Sequence, residues 1–240
     1  LGQEWHQKLR GYTKKILVID DIADKQLDCD FLLNQNVGAQ AKYYRGKVPR
    51  HCRFLLGSDF ALLRPEFREK RLQILEKRPH ISAIENILVS VGGSDINNAT
   101  YEILQQLDNK FRVVVVLGKT SPHNEMIKDY AKNKNIVVII NAVNMAELMM
   151  NADLAIGAGG STSWERCCLG LPTLLYILAE NQRSGAEALE FLGAALIIKN
   201  LKEDLNTLIE DTSLLCRALV GRGGKSARGW TPKKVRFFPP

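Results

Sequence analysis

Residues 156–165 read Ile156-Gly157-Ala158-Gly159-Gly160-Ser161-Thr162-Ser163-Trp164-Glu165. Three glycines follow an apolar run, and three hydroxyl residues open what reads as a helix. Small residues let a backbone approach a ligand closely. Amides and hydroxyls at a helix start suit a phosphate, because the positive end of the helix dipole points the same way. The phosphate-facing candidates are therefore Gly159, Gly160, Ser161, Thr162 and Ser163. Glu165 falls in the first helical turn. There its carboxylate either caps the helix or accepts hydrogen bonds from ribose hydroxyls. A second turn, Val89-Ser90-Val91-Gly92-Gly93-Ser94-Asp95, repeats the pattern with Gly93 and Ser94 as candidates. Its plainer reading is a tight turn between strand and helix. Two such turns at strand ends of one sheet share a crevice, the usual nucleotide position in an open α/β sheet. Asn181-Gln182 follows a further strand at the same sheet edge, so these amides are candidates to face that crevice.

Other patterns carry less. Gly118-Lys119-Thr120 and Gly224-Lys225-Ser226 look like ends of a nucleoside-triphosphate loop. The loop needs glycines at 113 and 219, where the chain has Val113 and Leu219, so that chemistry is excluded. The glycine spacing of a dinucleotide site is also absent. Asp20-Asp21-Ile22-Ala23-Asp24 offers carboxylates that a magnesium ion takes together with substrate phosphates. Strand-end and helix-capping aspartates are the preferred reading of that stretch. The four histidines, His6, His51, His80 and His123, lie outside the glycine turns and read as surface residues rather than bases. The five cysteines, Cys29, Cys52, Cys167, Cys168 and Cys216, have no zinc-finger spacing and read as reduced thiols of a cytoplasmic protein.

The elements that must position these residues are regular from residue 84 onward. Apolar runs at 86–91, 112–117, 136–140, 153–156, 173–178 and 195–198 read as buried strands. Segments 97–107, 123–132, 145–150, 163–169, 181–192 and 201–208 read as helices between them. Strands alternating with such helices mean a parallel sheet. Earlier, 16–20 and 31–33 read as strands, 4–9 and 66–77 as helices. The expected division is 1–75, which has too few strands for a complete α/β domain and reads as a remnant with a linker; 76–220, a parallel-sheet α/β domain; and a disordered tail, 221–240.

Composition sets the outer bounds. The chain has 240 residues, 45% hydrophobic and 25% charged, the balance of a globular protein with a core. Its longest apolar runs are far short of a membrane span. The net charge is +7, but residues 221–240 carry six basic residues and no acid. Without them, 27 basic residues face 26 acidic ones. The body is thus nearly neutral, and nucleic acid is not an expected partner.

At these residues the chain resembles a known family. The matching stretches are Val18-Ile19-Asp20-Asp21-Ile22-Ala23-Asp24, Cys29-Asp30, Leu33-Asn34-Gln35-Asn36, Leu62-Leu63-Arg64-Pro65-Glu66-Phe67, residues 89–95, residues 156–172 and Asn181-Gln182. The family is that of the UDP-sugar hydrolases of pseudaminic acid biosynthesis, which act on UDP-2,4-diacetamido-2,4,6-trideoxy-β-L-altropyranose. It is similar in turn to GT-B glycosyltransferases such as the one that makes lipid II. The resemblance covers roughly residues 1–220. It implies a GT-B-like α/β fold of two Rossmann-like domains, with the nucleotide held mainly by the second. It implies attack of water on the anomeric carbon, with release of UDP and free sugar. It places Glu165 at the ribose or uridine, Gly159–Ser163 by the diphosphate, Arg64 at the substrate, and Asn181 or Gln182 near the sugar. No metal, cofactor or membrane is implied, and a monomer is expected.

The sequence departs from that family in two places. The family's general base is a histidine in an N-terminal glycine-rich loop, which is absent here, so the catalytic residue is unassigned. By resemblance about a hundred residues are missing from the front, and the basic ending does not match the family's helical one. The expected behaviour of the chain is therefore that of an incomplete hydrolase. A GT-B transferase and a UDP-binding fragment without activity are the alternatives.

Overall fold

The structure, a computed structural model, describes residues 1–78 and 83–221, with side chains as far as residue 212. His80, the Cys216 side chain and the tail after Gly221, read above as surface, thiol and disorder, lie outside the described residues. The chain divides into two compact units, residues 1–62 and residues 63 onward.

The first unit opens with helix α1 (Gln3–Leu9), followed by strands β1 (Leu17–Ile19), β2 (Phe31–Asn34) and β3 (Arg53–Leu56). These form a parallel sheet in the order β1-β2-β3. Its core joins Ile16, Leu27, Cys29, Leu32, Tyr44 and Cys52. The Cys29 and Cys52 sulfurs lie 3.6 Å apart in that core, and burial pushes both thiols up. Buried Asp30 ties the strand start together. Its carboxylate accepts the Ile16 N–H at 2.9 Å and pairs with Arg10 at 2.5 Å. His6 corrects the surface reading of the histidines. It is 4% exposed, and its Nδ1 accepts the Asp28 N–H at 3.3 Å. Asp20 acts as a turn cap, accepting the Ala23 N–H at 2.8 Å, while Ala23 holds a left-handed φ of 58°.

The second unit begins with helix α2 (Pro65–Lys77) and continues β4 (Asn86–Ser90), α3 (Ala99–Gln106), β5 (Arg112–Leu117), α4 (Asn124–Ala131), β6 (Ile136–Ile140), α5 (Met145–Asn151), β7 (Leu154–Gly157), α6 (Thr162–Cys168), β8 (Thr173–Tyr176), α7 (Arg183–Phe191), β9 (Leu196–Ile198) and α8 (Leu201–Gly221). The six strands are all parallel, in the order β6-β5-β4-β7-β8-β9. Central β4 and β7 are buried on both faces because helices cover both sides of such a sheet. This is why they read as unbroken apolar runs. The core gathers Ile87, Val89, Val113, Val115, Leu154, Ile156 and Leu174 with Ile103, Ile127, Leu205 and Ile209 from the helices. Helix α8 runs thirteen residues beyond the expected 208, its amphipathic pattern carrying Ile209 into the core. No helix among the described residues is long and apolar enough to cross a membrane.

Helix α2 belongs to this second unit, whereas the sequence-based boundary fell at 75/76, inside the helix. Pro65 opens it at the first helical position, where a missing N–H costs nothing. Phe67 and Ile74 are buried. Its arginines then take carbonyls that helix ends leave open. Arg71 Nη1 donates to the Cys168 carbonyl. Arg78 donates from Nε to the Leu169 carbonyl at 3.2 Å, from Nη2 to the Met149 carbonyl at 2.5 Å, and from Nη1 to the Ala152 carbonyl. One guanidinium thus closes the C-terminal ends of both α5 and α6, which sets where α6 lies.

Candidate functional site

The strand order reverses between β4 and β7: the chain steps from β4 to β5 and β6 on one side, then returns to pair β7 on the other. Loops leaving two such strands diverge to opposite faces and leave a crevice at the carboxyl edge of the sheet. The register pairs Ser90 with Gly157. Residues 91–95 and 158–161 therefore start side by side, one on each flank. Gly92 has φ 117°, a conformation that requires glycine. Gly93 is held by Gly118 at the end of β5. A Cβ built on Gly118 would sit 1.9 Å from the Gly93 carbonyl oxygen and 2.7 Å from its Cα. Gly118 is thus required by contact rather than by its own torsion.

Beyond Gly157 the second turn wraps a buried guanidinium. Arg166 is 1% exposed. Its Nη2 donates to the Ala158 carbonyl at 2.7 Å and to Ser163 Oγ at 2.9 Å, and Nη1 reaches Thr162 Oγ1 at 3.5 Å. A Cβ on Gly157 would meet Arg166 Nη1 at 2.3 Å and the Ser90 carbonyl oxygen at 2.6 Å. Gly159 lies against Gln182, whose Cβ and carbonyl oxygen would each be 3.4 Å from an added Cβ. Gly160 and Ser161 are exposed, and Gly160 has nothing within 4 Å of a Cβ position. The loop therefore has an inner face filled by Arg166 and an outer face left open.

Glu165 stands on the first turn of α6, and Arg64 stands immediately before α2. Arg64 Nη2 lies 3.4 Å from Glu165 Oε1 and 3.1 Å from Glu66 Oε1, while Nη1 lies 3.5 Å from the Val143 carbonyl. The Arg64 guanidinium also rides over the Phe67 ring at 5.2 Å. Burial pushes the Glu165 carboxyl above the usual range, and Arg64 pulls the other way. A contact of 3.4 Å is long for a charge-assisted bond. A carboxylate has about four lone-pair positions, so Glu165 retains acceptor capacity beside a cation. That combination suits a vicinal diol next to an anion.

The structure brings together, around one crevice, the loops bearing Gly93, Ser94, Gly159, Gly160, Ser161 and Thr162, and sets Gln182 against Gly159. It pairs Arg64 with Glu165. Other expectations change. Ser163 is 3% exposed, and its hydroxyl accepts from Arg166 rather than facing the crevice. Gln182 Oε1 accepts the Leu178 N–H at 3.2 Å, while Asn181 is exposed. Asp95 is buried, and its carboxylate accepts the Ala99 and Thr100 N–H groups at 2.8 and 3.1 Å. It thereby occupies the start of α3, so that end is already capped by the chain. His123 is bonded through Nε2 to the Ile96 carbonyl at 2.9 Å, one residue beyond the first glycine turn. Sequence reading missed Arg166 and the 141–144 loop that meets Arg64. Arginine placed three and four residues after Ser163 and Thr162 on one helix face was the signal for the first. Because Asp95 satisfies two amides, Asp95→Ala is expected to lower stability by about 1–2 kcal/mol, measured by urea unfolding; an unchanged midpoint would refute the capping role.

A family described as glycosyltransferase family 28 C-terminal domain matches residues 86–217. The chain is 32% identical over 174 residues to the spore coat polysaccharide biosynthesis protein SpsG of Bacillus subtilis, covering 70% of this chain and 49% of that protein. It is 30% identical over 173 residues to the UDP-2,4-diacetamido-2,4,6-trideoxy-beta-L-altropyranose hydrolase of Campylobacter jejuni, covering 72% of this chain and 61% of that one. The chain therefore spans about half the length of these relatives. Among solved structures, Acinetobacter baumannii MurG superposes with a TM-score of 0.53 at 15% identity, over 92% of this chain and 72% of that one. The α/β fold is GT-B-like.

Proposed function

The chain belongs to the glycosyltransferase family 28 C-terminal domain family, and on that premise we propose that residues 63–221 hold the UDP part of a UDP-sugar. The intact protein would then hydrolyse a UDP-linked 2,4-diacetamido-2,4,6-trideoxy sugar to UDP and free sugar. The observation that carries the nucleotide reading is the pairing of Arg64 with half-buried Glu165 beside an open glycine loop at the strand-order reversal. Glu165 accepts the ribose hydroxyls. Gly159, Gly160, Ser161 and Thr162 line the diphosphate, and Arg64 stands at the substrate. Asn181 and Gln182 lie toward the sugar. The chemistry needs one displacement at the anomeric carbon. A diphosphate is a good leaving group, and donors aimed at it lower the barrier as its charge develops. Water is the nucleophile, and the base that activates it is unassigned.

Transfer of the sugar to an acceptor is the second reading, favoured by the glycosyltransferase description of the family. The test is release of UDP from the UDP-sugar with and without candidate acceptors, beside calorimetric titration of this chain with UDP, CDP and GDP. Release without acceptor supports hydrolysis. Release that depends on an acceptor replaces hydrolysis by transfer. Selective UDP binding with no turnover under either condition means that this chain is a binding fragment. Equal binding of UDP, CDP and GDP would sink the uridine assignment.

A further inference from the structure

Arg166 heads the largest fully buried side chains among the described residues. Its hydrogen-bond partners are a carbonyl and two hydroxyls, none of them charged. Its Nε is buried without a partner. Every Asp and Glu of the chain lies within the described residues, and none forms an ion pair with Arg166. Its neighbour Glu165 is paired with Arg64 and acts on Arg166 only through space, without a hydrogen bond. A buried guanidinium without a counter-charge is costly, and burial pulls this one down to about 10. It remains a cation at neutral pH. Neutral donors would suffice merely to staple the 158–163 turn. The full charge is instead kept under a loop whose opposite face, at Gly160 and Ser161, is open.

We propose that Arg166 is a positioning residue for a diphosphate, fixing the 158–162 loop from inside while its charge balances the anion seated on the loop's outer face. The inference rests on the reading of this crevice as a nucleotide site and adds a residue to it. Arg166 does not touch the ligand. Its influence passes through the Ala158 carbonyl and the Ser163 and Thr162 hydroxyls it holds, and through its field across one layer of backbone, where the effective dielectric is low. Close packing against Gly157 gives the guanidinium no room to move.

The test is calorimetry with three probes, UDP, inorganic pyrophosphate and uridine, on the wild-type chain, Arg166→Met and Arg166→Lys, each first shown to melt cooperatively. Arg166→Met should weaken pyrophosphate and UDP on the order of tenfold or more and leave uridine within about twofold. Arg166→Lys should retain most pyrophosphate affinity at neutral pH. A buried lysine titrates well below its usual range, so that affinity should then fall as pH rises from neutral toward about 8.5, while the wild-type guanidinium, pulled down only to about 10, keeps its charge over that range. This pH arm decides the matter should the methionine variant fail to fold. A purely structural arginine would weaken all three probes together in both variants, or none, with no pH arm; either result overturns the proposal. Wild-type binding of pyrophosphate but not UDP would refute the uridine reading while leaving the charge test in force. Binding of neither by the folded wild type would overturn both.

Discussion

Glu165→Ala is expected to weaken UDP binding by about ten- to a hundredfold, the cost of losing hydrogen bonds to a charged acceptor, about 1.5–3 kcal/mol. The variant still melts cooperatively, because the carboxylate is bonded to no backbone group of the core. Uridine is the cleaner probe of pH, since it lacks titrating phosphates. The Glu165 carboxyl lies above the ordinary carboxylate range because of burial. Its ionised form is therefore lost on acidification at a higher pH than an exposed glutamate's. Protonation turns an acceptor into a donor, so uridine affinity should fall as pH drops through that raised value, and the fall should vanish in Glu165→Ala. The stability sign is opposite. A carboxyl with a raised folded pKa favours the folded state at low pH, and that contribution is lost as pH rises through the folded value. Glu165→Gln should accordingly leave the unliganded protein at least as stable at neutral pH while binding less nucleotide. A Glu165→Ala chain that binds UDP and uridine like the wild type removes the ribose role.

Gly118→Ala is the most damaging single methyl. It places a carbon inside the Gly93 peptide, 1.9 Å from the carbonyl oxygen and 2.6 Å from the carbonyl carbon. Gly118 directly follows β5 and Gly93 lies in the turn that follows β4, so the backbone of that turn must move to admit the carbon. Overpacking in a dense interior costs typically about 1–3 kcal/mol and more where backbone must move. At this chain length each kcal/mol lowers the melting temperature by roughly 2–4 °C, so a loss of about 10 °C is expected. Gly160→Ala is the internal control. Its φ lies outside the left-handed region and nothing stands within 4 Å of the new carbon, so its melting point should stay within about 2 °C of the parent. Equal melting of the two variants would mean that the contact between the first glycine turn and the end of β5 does not exist in solution.

How far sequence could carry this reading depends on which physical signal each residue gives. The second sheet was legible because strands covered on both faces must be apolar throughout, as Val113–Val116 and Leu154–Ile156 are. The paired glycine turns were legible for the same reason, since they interrupt those runs at the same edge. Asp95 was not: beside two glycines and a serine, an aspartate reads equally as part of a ligand turn or as a cap, and only the bonds to Ala99 and Thr100 decide. Arg166 gave the opposite impression to its position. A charged residue following Glu165 reads as solvated, and its burial depends on Gly157 having no side chain. His6 likewise entered the first unit's interior because Asp28 offers its N–H there. The boundary before α2 was hidden because Arg71 and Arg78, exposed types by habit, direct their donors to carbonyls 71 to 97 residues away.

Helix α2 has thirteen residues, a rod about 20 Å long at 1.5 Å per residue. One end carries Arg64, which meets Glu165. The other end carries Arg78, which grips the far ends of α5 and α6. The Arg64–Glu165 contact and the seat of the 158–162 loop are thereby gauged by a single rigid spacer. A one-residue insertion or deletion in its exposed face would rotate Arg64 by about 100° relative to Arg78 and detune both at once. Natural variation in this helix should therefore run through substitution at constant length, while neighbouring loops remain free to lengthen.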